Sequence, residues 1–218
     1  MTLSSSGVSV TSEAALAAEI VRRKRHGRLV VAIFGAPGSG KSTLADRLRA
    51  EITQSFHVST EVVPMDGSHY DNAILDAKGL RPRKGSPETF DVDGLASLIQ
   101  RLRAGPPRDV AIPVFDRTLD MTRASARIVD KEVDILLVEG NYLLLDQKPW
   151  DRLKDYFDVT VKIECLRDEL EKRLMKRWLD LGMSEKESRS KVEGNDLLNA
   201  DLIESTSLAA DILFLGAI

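Results

Sequence analysis

The sequence predicts an α/β fold built on a parallel sheet, and two observations carry that expectation. Apolar, strand-like runs alternate with amphipathic, helix-like segments along the 218 residues. That order places parallel strands in one sheet with right-handed crossovers and brings their carboxyl ends to a common edge. The second observation is local. The run Leu29-Val30-Val31-Ala32-Ile33-Phe34 leads directly into Gly35-Ala36-Pro37-Gly38-Ser39-Gly40-Lys41-Ser42-Thr43, and a helical pattern with Leu44, Leu48 and Ile52 follows. The loop fits the Gly-four-residues-Gly-Lys-Ser/Thr pattern that cradles phosphate between a strand and a helix.

The chemistry of phosphate requires these residue types. A triphosphate is wrapped by backbone N–H groups, so residues without a Cβ are needed where the chain approaches it and turns. The helix that starts near Lys41 points its unsatisfied N–H groups and positive dipole end at the anion, and the Lys41 ammonium adds a full charge. Gly35, Ala36, Pro37, Gly38, Ser39, Gly40, Lys41, Ser42 and Thr43 are therefore the expected nucleotide-binding residues, with the Ser42 hydroxyl placed to ligate Mg²⁺.

Taken in order, the chain opens with a Ser/Thr-rich stretch expected to fray, then an amphipathic helix from Thr11 to Arg25 carrying Leu16, Ile20 and Val21. The basic run Arg22-Arg23-Lys24-Arg25-His26 ends that helix, where cations complement the dipole, and reads as a solvated face. Residues 1–27 are taken as an N-terminal tail and helix, and 28–218 as the main domain. His57 to Pro64 alternates and is rich in Val and Thr, so a strand ends at Met65-Asp66. Ligands bind at the carboxyl edge of such a sheet, which puts Asp66 beside the phosphates, where a hydroxyl-activating carboxylate is needed.

The stretch from Gly67 to Asp91 is polar, broken by Gly79, Pro82, Gly85 and Pro87, and long for a simple connection. Loops of this length are usually functional, and this one, with Arg117, is expected to form the acceptor pocket. A helix is expected over Asp93 to Arg103, ended by Gly105-Pro106-Pro107, and then a third strand of the sheet over Val110 to Phe115. Ala126 to Val129 reads as a short strand paired outside the parallel sheet. Val133 to Gly140 is an apolar run ending in Glu139, the carboxylate that organises Mg²⁺ in this kind of site. Phe157 to Glu164 is another strand, Asp168 to Leu181 a helix, Ser184 to Ile203 a second single helix, and Ala210 to Leu215 a closing strand. Cys165, at the end of an apolar run, is expected to be a buried structural thiol.

Composition narrows the function classes. A net charge of −3 argues against a broad nucleic-acid surface. One cysteine excludes an internal disulfide, no apolar run approaches the length of a membrane span, and the first residues lack the pattern of a signal peptide, so a cytoplasmic location is expected. A GTPase switch needs an Asn-Lys-x-Asp segment and an Asp-x-x-Gly after the second apolar strand; that strand ends Glu139-Gly140-Asn141 instead.

With Asp66 and Glu139 placed, the chain resembles the phosphoribulokinase and uridine kinase family of P-loop kinases over about Leu29 to Leu215. Met65-Asp66-Gly67-Ser68-His69-Tyr70-Asp71-Asn72, Arg83-Lys84-Gly85-Ser86-Pro87-Glu88-Thr89-Phe90-Asp91 and Ile112-Pro113-Val114-Phe115 are similar to pantothenate kinases. Val138-Glu139-Gly140-Asn141-Tyr142 and Glu193-Gly194-Asn195-Asp196 look more like bacterial kinases labelled fructose-transport-system kinases.

The resemblance implies a P-loop three-layer sandwich of about five parallel strands with helices on both faces and a small helical lid at about 167–195. It also implies transfer of the ATP γ-phosphoryl group to a small-molecule hydroxyl. Asp66 is similar to the family's catalytic carboxylate, and Arg173 and Arg177 look like its lid arginines; Lys41 completes the expected catalytic set, with Ser42 and Glu139 at the metal.

Asp66, His69, Tyr70, Lys84, Arg117 and Asn141 are the expected acceptor-binding residues. The histidine that uridine kinases carry in the loop after the Pro-x-Tyr strand, and the one that pantothenate kinases carry closer to that strand, are missing from Asp116-Arg117-Thr118-Leu119-Asp120. That departure favours a sugar or other polyol such as fructose over uridine or pantothenate. The expected partner is a small molecule bearing a hydroxyl, with a homodimer admitted as the assembly, and neither nucleic acid nor membrane.

Overall fold

The structure, a computed structural model, describes residues 7–105 and 107–216. In chain order the elements are β1 (Val8–Val10), α1 (Glu13–Arg23), β2 (Leu29–Phe34), α2 (Lys41–Phe56), β3 (Thr60–Pro64), α3 (Asn72–Ala77), α4 (Val92–Arg103), β4 (Val110–Asp116), β5 (Met121–Val129), β6 (Ile135–Gly140), β7 (Val159–Ile163), α5 (Arg167–Asp180), α6 (Glu185–Lys191), α7 (Leu197–Thr206) and β8 (Ile212–Phe214). Six strands form one parallel sheet in the order β1-β8-β7-β2-β6-β3.

Side-chain alternation along the central strands builds two cores from one sheet. Val30, Ala32 and Phe34 of β2, with Leu136 and Val138 of β6, pack with Leu95 and Ile99 of α4 and with Tyr142, Trp150 and Ile203. The intervening Val31, Ile33, Ile135 and Leu137 pack with Leu16 and Ile20 of α1 and Leu44, Leu48 and Ile52 of α2. Every residue of β2 and of β6 is buried, as a parallel strand covered on both faces requires.

The N-terminal region joins this construction. Ser12 caps α1 by accepting from the Ala15 N–H, and Glu13 and the pair Arg22/Arg23 complement the helix dipole at its two ends. The basic run is ion-paired: Arg22 and Arg23 contact Glu19 at 2.7 and 2.8 Å, and Lys24 contacts Asp134 at 2.9 Å.

Four expectations need correction. The first concerns the N-terminal stretch, because the parallel sheet, expected at about five strands, has six. The extra one, β1, lies in the stretch expected to fray, where a strand of only three residues shows no periodicity; its partner β8 supplies the pairing. Residues 1–6 of that stretch, and Pro106 of the expected helix stop, lie outside the described residues.

Second, Val110 to Phe115 is not in the parallel sheet. It forms β4 of an antiparallel two-stranded ribbon with β5, whose register shifts between Ile112 and Val114, around Pro113, which has no N–H to donate. Only Val110, Ile112 and Val129 of the ribbon are buried, and the Arg127 guanidinium donates to the Val62 carbonyl of β3.

Third, the single helix expected over Ser184 to Ile203 is interrupted by a π-helical turn, Val192–Asp196, in which the Leu197 N–H reaches back five residues to the Val192 carbonyl. Fourth, Cys165 is half-buried rather than fully buried. It packs beside a third, small apolar cluster of Leu170, Leu174, Val192, Leu197 and Ala200, and burial raises its thiol pKa.

Gly140, at the end of β6, is a test of this packing, because a Cβ there would lie 2.4 Å from the Met65 Cβ. Overpacking of a filled core costs about 1–3 kcal/mol. Gly140→Ala should therefore lower Tm by about 2–10 °C in a thermal melt, and an unchanged Tm would show that Met65 yields without strain.

Candidate active site

Three neighbouring strands, β2, β6 and β3, end at the same edge. The register aligns Phe34 with Gly140, Ile33 with Glu139, and Pro64 with Glu139. Strand pairing therefore gathers three functional segments at that edge: the loop from Gly35 after β2, Glu139 at the end of β6, and Asp66 in the single 3₁₀ turn Met65–Ser68 after β3.

In the loop, Gly38 and Gly40 adopt left-handed conformations, with φ of 79° and 91°, which L side chains enter only with strain. Gly40 is also the N-cap of α2 and offers no side chain, so the first N–H groups of that helix remain available to an anion. Lys41 is only 8% exposed, and its Nζ donates to the Ala36 carbonyl at 2.8 Å. Burial draws its pKa down, opposed by the charges of Glu139 and Asp66. Glu139 is 6% exposed; burial raises its pKa, the Asp66 charge adds to that, and Lys41 and a hydrogen bond from Ser42 act against it.

A hydroxyl and a carboxylate already in contact, beside a phosphate-type loop, are the hard oxygen donors that Mg²⁺ accepts when phosphate oxygens and water complete its shell. Ser42 and Glu139 fit that ion. Among the described residues there is no cluster of three or more His, Cys, Asp or Glu that would form an all-protein metal cage.

Two cavities open at this edge. One, of about 220 Å³, is lined by the loop residues Pro37, Gly38, Gly40, Lys41, Ser42 and Thr43 together with Glu139. The other, of about 310 Å³, extends under α5 and α6 and the connection between β3 and α4. Pro37, Asp66, Arg117, Asn141 and Arg177 line both. Arg117 and Arg177 make no ion pair among the described residues. Although Arg177 is open to the cleft, surrounding protein and the Arg117 charge hold its guanidinium pKa below the ordinary arginine value.

The other expected residues divide. His69 lines the larger cavity with its ring between those of Phe90 and Phe115, at centroid distances of 4.0 and 4.7 Å. Its Nδ1 lies 2.9 Å from the Asp66 carbonyl, which can only accept, so Nδ1 carries the proton; burial lowers the pKa of the ring. Lys84 also lines this cavity but is fully engaged. Its Nζ donates to Asn72 Oδ1 at 2.7 Å and to the Asp120 carbonyl and carboxylate at 2.6 and 2.8 Å, tying the long connection to the β4–β5 turn.

Tyr70 lines neither cavity; Lys78 Nζ sits 4.8 Å above its ring. Arg173, one turn before Arg177 on α5, also lines neither and donates from Nε to Glu169 at 2.8 Å. The structure thus brings Arg177 to the cleft, and not Arg173.

Residue patterns alone did not single out Trp178, Lys191, Asp196 and Asn199, all of which line the larger cavity. Trp178 Nε1 donates to Asp196 Oδ2 at 2.6 Å across the gap between α5 and the π-helical turn. The one signal in the sequence was the Glu193-Gly194-Asn195-Asp196 segment, a polar, glycine-containing break inside a helical pattern.

The model of the phosphoribulokinase / uridine kinase family matches residues 30–187. The uncharacterised protein YggC of Escherichia coli K12 is 33% identical over 187 residues, 85% of this chain and 77% of its own length. The pantothenate kinase of Streptomyces coelicolor is 31% identical over 159 residues, 70% of this chain, and the chain spans about half (48%) of that enzyme. Among solved structures, a Silicibacter sp. TM1040 protein provisionally named a fructose transport system kinase superposes with a TM-score of 0.89 at 42% identity, over 94% of this chain and 100% of that one.

The burial of Glu139 has a pH signature. A carboxylate whose pKa is raised on folding, here from 4.5 to about 7, contributes stability as the neutral acid below pH 4.5 and loses it as pH rises through 7. Glu139→Gln lacks that loss. Its Tm relative to the native protein should rise by roughly 3 °C or more between pH 5 and pH 7.5, and a difference independent of pH would show that Glu139 is not desolvated.

Proposed function

The chain belongs to the phosphoribulokinase and uridine kinase family, and on that premise we propose that it transfers the γ-phosphoryl group of ATP to a hydroxyl of a small polyhydroxylated molecule, a sugar such as fructose first. The carrying observation is the wall shared by the two cavities. A donor compartment rimmed by a phosphate-type loop and an acceptor-sized compartment meet at Asp66, Arg117, Asn141 and Arg177, which is the arrangement an in-line transfer requires.

In this reading the backbone amides of Gly38, Ser39 and Gly40, with Lys41 and Thr43, hold the phosphates, and Ser42 and Glu139 hold Mg²⁺. Bound there, Mg²⁺ would supply positive charge against that of the phosphates. Asp66 orients the acceptor hydroxyl and takes its proton as the oxygen attacks. Arg177 and Arg117, which make no ion pair among the described residues, stabilise the charge that spreads over the equatorial oxygens in the transition state. Helices α5 and α6 and the π-helical turn, about residues 167–195, act as the lid that keeps water from the γ-phosphorus. No helix among the described residues is long and apolar enough to cross a membrane, and a cytoplasmic setting supplies ATP and Mg²⁺.

A sugar ranks above a nucleoside or pantothenate for two reasons. No histidine follows Phe115, and Asp66, Arg117, Asn141, Asp196 and Asn199 bring charged and amide groups to the wall of the larger cavity beside Phe90, Phe115 and Trp178. Kinetics of ATP consumption with fructose and related sugars, uridine and pantothenate test the ranking. The highest kcat/KM should belong to a sugar, and efficient turnover of uridine or pantothenate with none of any sugar would reverse the order.

Asp66→Asn should leave the KM for ATP within a few-fold while kcat falls by roughly 10²–10⁴, the scale of a lost general base. Near-native kcat in that variant would remove Asp66 from the chemistry. Lys41→Ala should abolish turnover and weaken ATP binding with the fold intact by circular dichroism; normal turnover would sink the assignment of the donor site.

A further inference from the structure

Asn199 stands out among the buried polar groups. It is 2% exposed, it lines the larger cavity, and its Oδ1 has no hydrogen-bond partner. Its Nδ2 makes a long contact, 3.5 Å, to Asn195 Oδ1, which orients the amide. Asp196, 7% exposed, lines the same cavity; Trp178 occupies one carboxylate oxygen, and the other makes no hydrogen bond among the described residues. A buried acceptor atom without a donor is costly and rare. Both groups lie in or next to the π-helical turn, a feature that recurs at functional sites.

That turn is held in place. Asn195 Nδ2 donates to the Lys84 carbonyl at 3.1 Å, Arg83 to the Gly194 carbonyl at 2.9 Å, and Lys191 to the Pro82 carbonyl at 3.2 Å. Two bonds between the turn and residues 83–84, and a third from the adjoining Lys191 to Pro82, make the cavity wall pre-organised rather than adaptable.

We propose that Asp196 and Asn199 determine acceptor specificity by accepting hydrogen bonds from two hydroxyls of the acceptor other than the one phosphorylated. The proposal rests on reading the chain as a kinase of polyhydroxylated molecules. A carboxylate and an amide oxygen offer only acceptor lone pairs, so the ligand must bring donors to this wall. Hydroxyls do so. A site built to bind a hydroxyl discriminates strongly against the analogue that lacks it, because its own buried group is then left unpaired.

The test is steady-state kinetics of the full chain with fructose and its monodeoxy analogues. The native protein should lose about 10²–10⁴-fold in kcat/KM on at least one deoxy analogue. Asn199→Ala should raise the fructose KM at least tenfold, leave the ATP KM within twofold, and flatten that discrimination to less than tenfold. Asn199→Asp, which keeps an acceptor oxygen in place, should restore most of it, a rescue that a purely structural role does not predict.

Unchanged fructose KM and intact discrimination in a folded Asn199→Ala protein would overturn the proposal. If Asn199→Ala does not fold, Asp196→Ala is read by the same criteria. Turnover confined to uridine or pantothenate would instead remove the sugar ranking. The wall is then judged on that substrate: a tenfold rise in its KM supports the hydroxyl contacts and an unchanged KM overturns them.

Discussion

The parallel register that β6 makes with β2 on one side and β3 on the other is the constraint on which the rest depends. Because Ile33 and Pro64 both align with Glu139, the three strands terminate together. Alternation puts Glu139 on the face of Ile135 and Leu137, the face that α2 covers. The carboxylate consequently emerges under the first turn of α2, against Ser42 and Lys41. A slip of one residue would turn it toward the opposite, apolar core, where Leu136 and Val138 pack. The desolvation of Glu139 is thus a product of strand pairing; burial shifts Glu139 and Lys41 toward their neutral forms, and the charge of each opposes the shift of the other.

Much of this was legible in the sequence because it is local. β2, β3 and β6 announce themselves as apolar runs that end abruptly in a functional residue, and the phosphate loop is contiguous. The illegible parts depend on partners distant in the chain. β1 is a strand only because β8 lies beside it, and Val110 to Phe115 has the composition of a sheet strand but finds its partner in β5 through a short turn. Arg173 and Arg177 are equivalent by spacing on α5; tertiary position separates them, since the helix axis carries one toward the cleft and leaves the other with Glu169. The wall made by Trp178, Asp196 and Asn199 required the π-helical turn, whose extra residue no amphipathic pattern encodes.

The charged groups around the larger cavity fall into two classes. Lys84, with Asp120 and Asn72, is spent on structure: its three donors fix the long connection to the β4–β5 turn. The same connection is anchored on its other side by Tyr142, whose hydroxyl donates to the Gly85 carbonyl at 2.6 Å. Arg117 and Arg177 make no ion pair among the described residues and face the shared wall. Burial and the Arg117 charge lower the Arg177 pKa, and the charges of Asp196 and Asp66 act the other way.

The small apolar cluster of Leu170, Leu174, Val192, Leu197 and Ala200 shares none of its buried residues with the two cores of the sheet. Trp178, Asp196 and Asn199, on one side of the larger cavity, therefore ride on a foundation separate from the one that holds Lys41, Asp66 and Glu139. Over evolutionary time that separation lets substitutions accumulate in the acceptor wall without pushing the catalytic sheet below its stability threshold. Lineages can then exchange one alcohol for another while inheriting the phosphate chemistry unaltered. A scaffold divided in this way diversifies by its lid, and sequence divergence should be fastest where the acceptor is read and slowest where β2, β6 and β3 end.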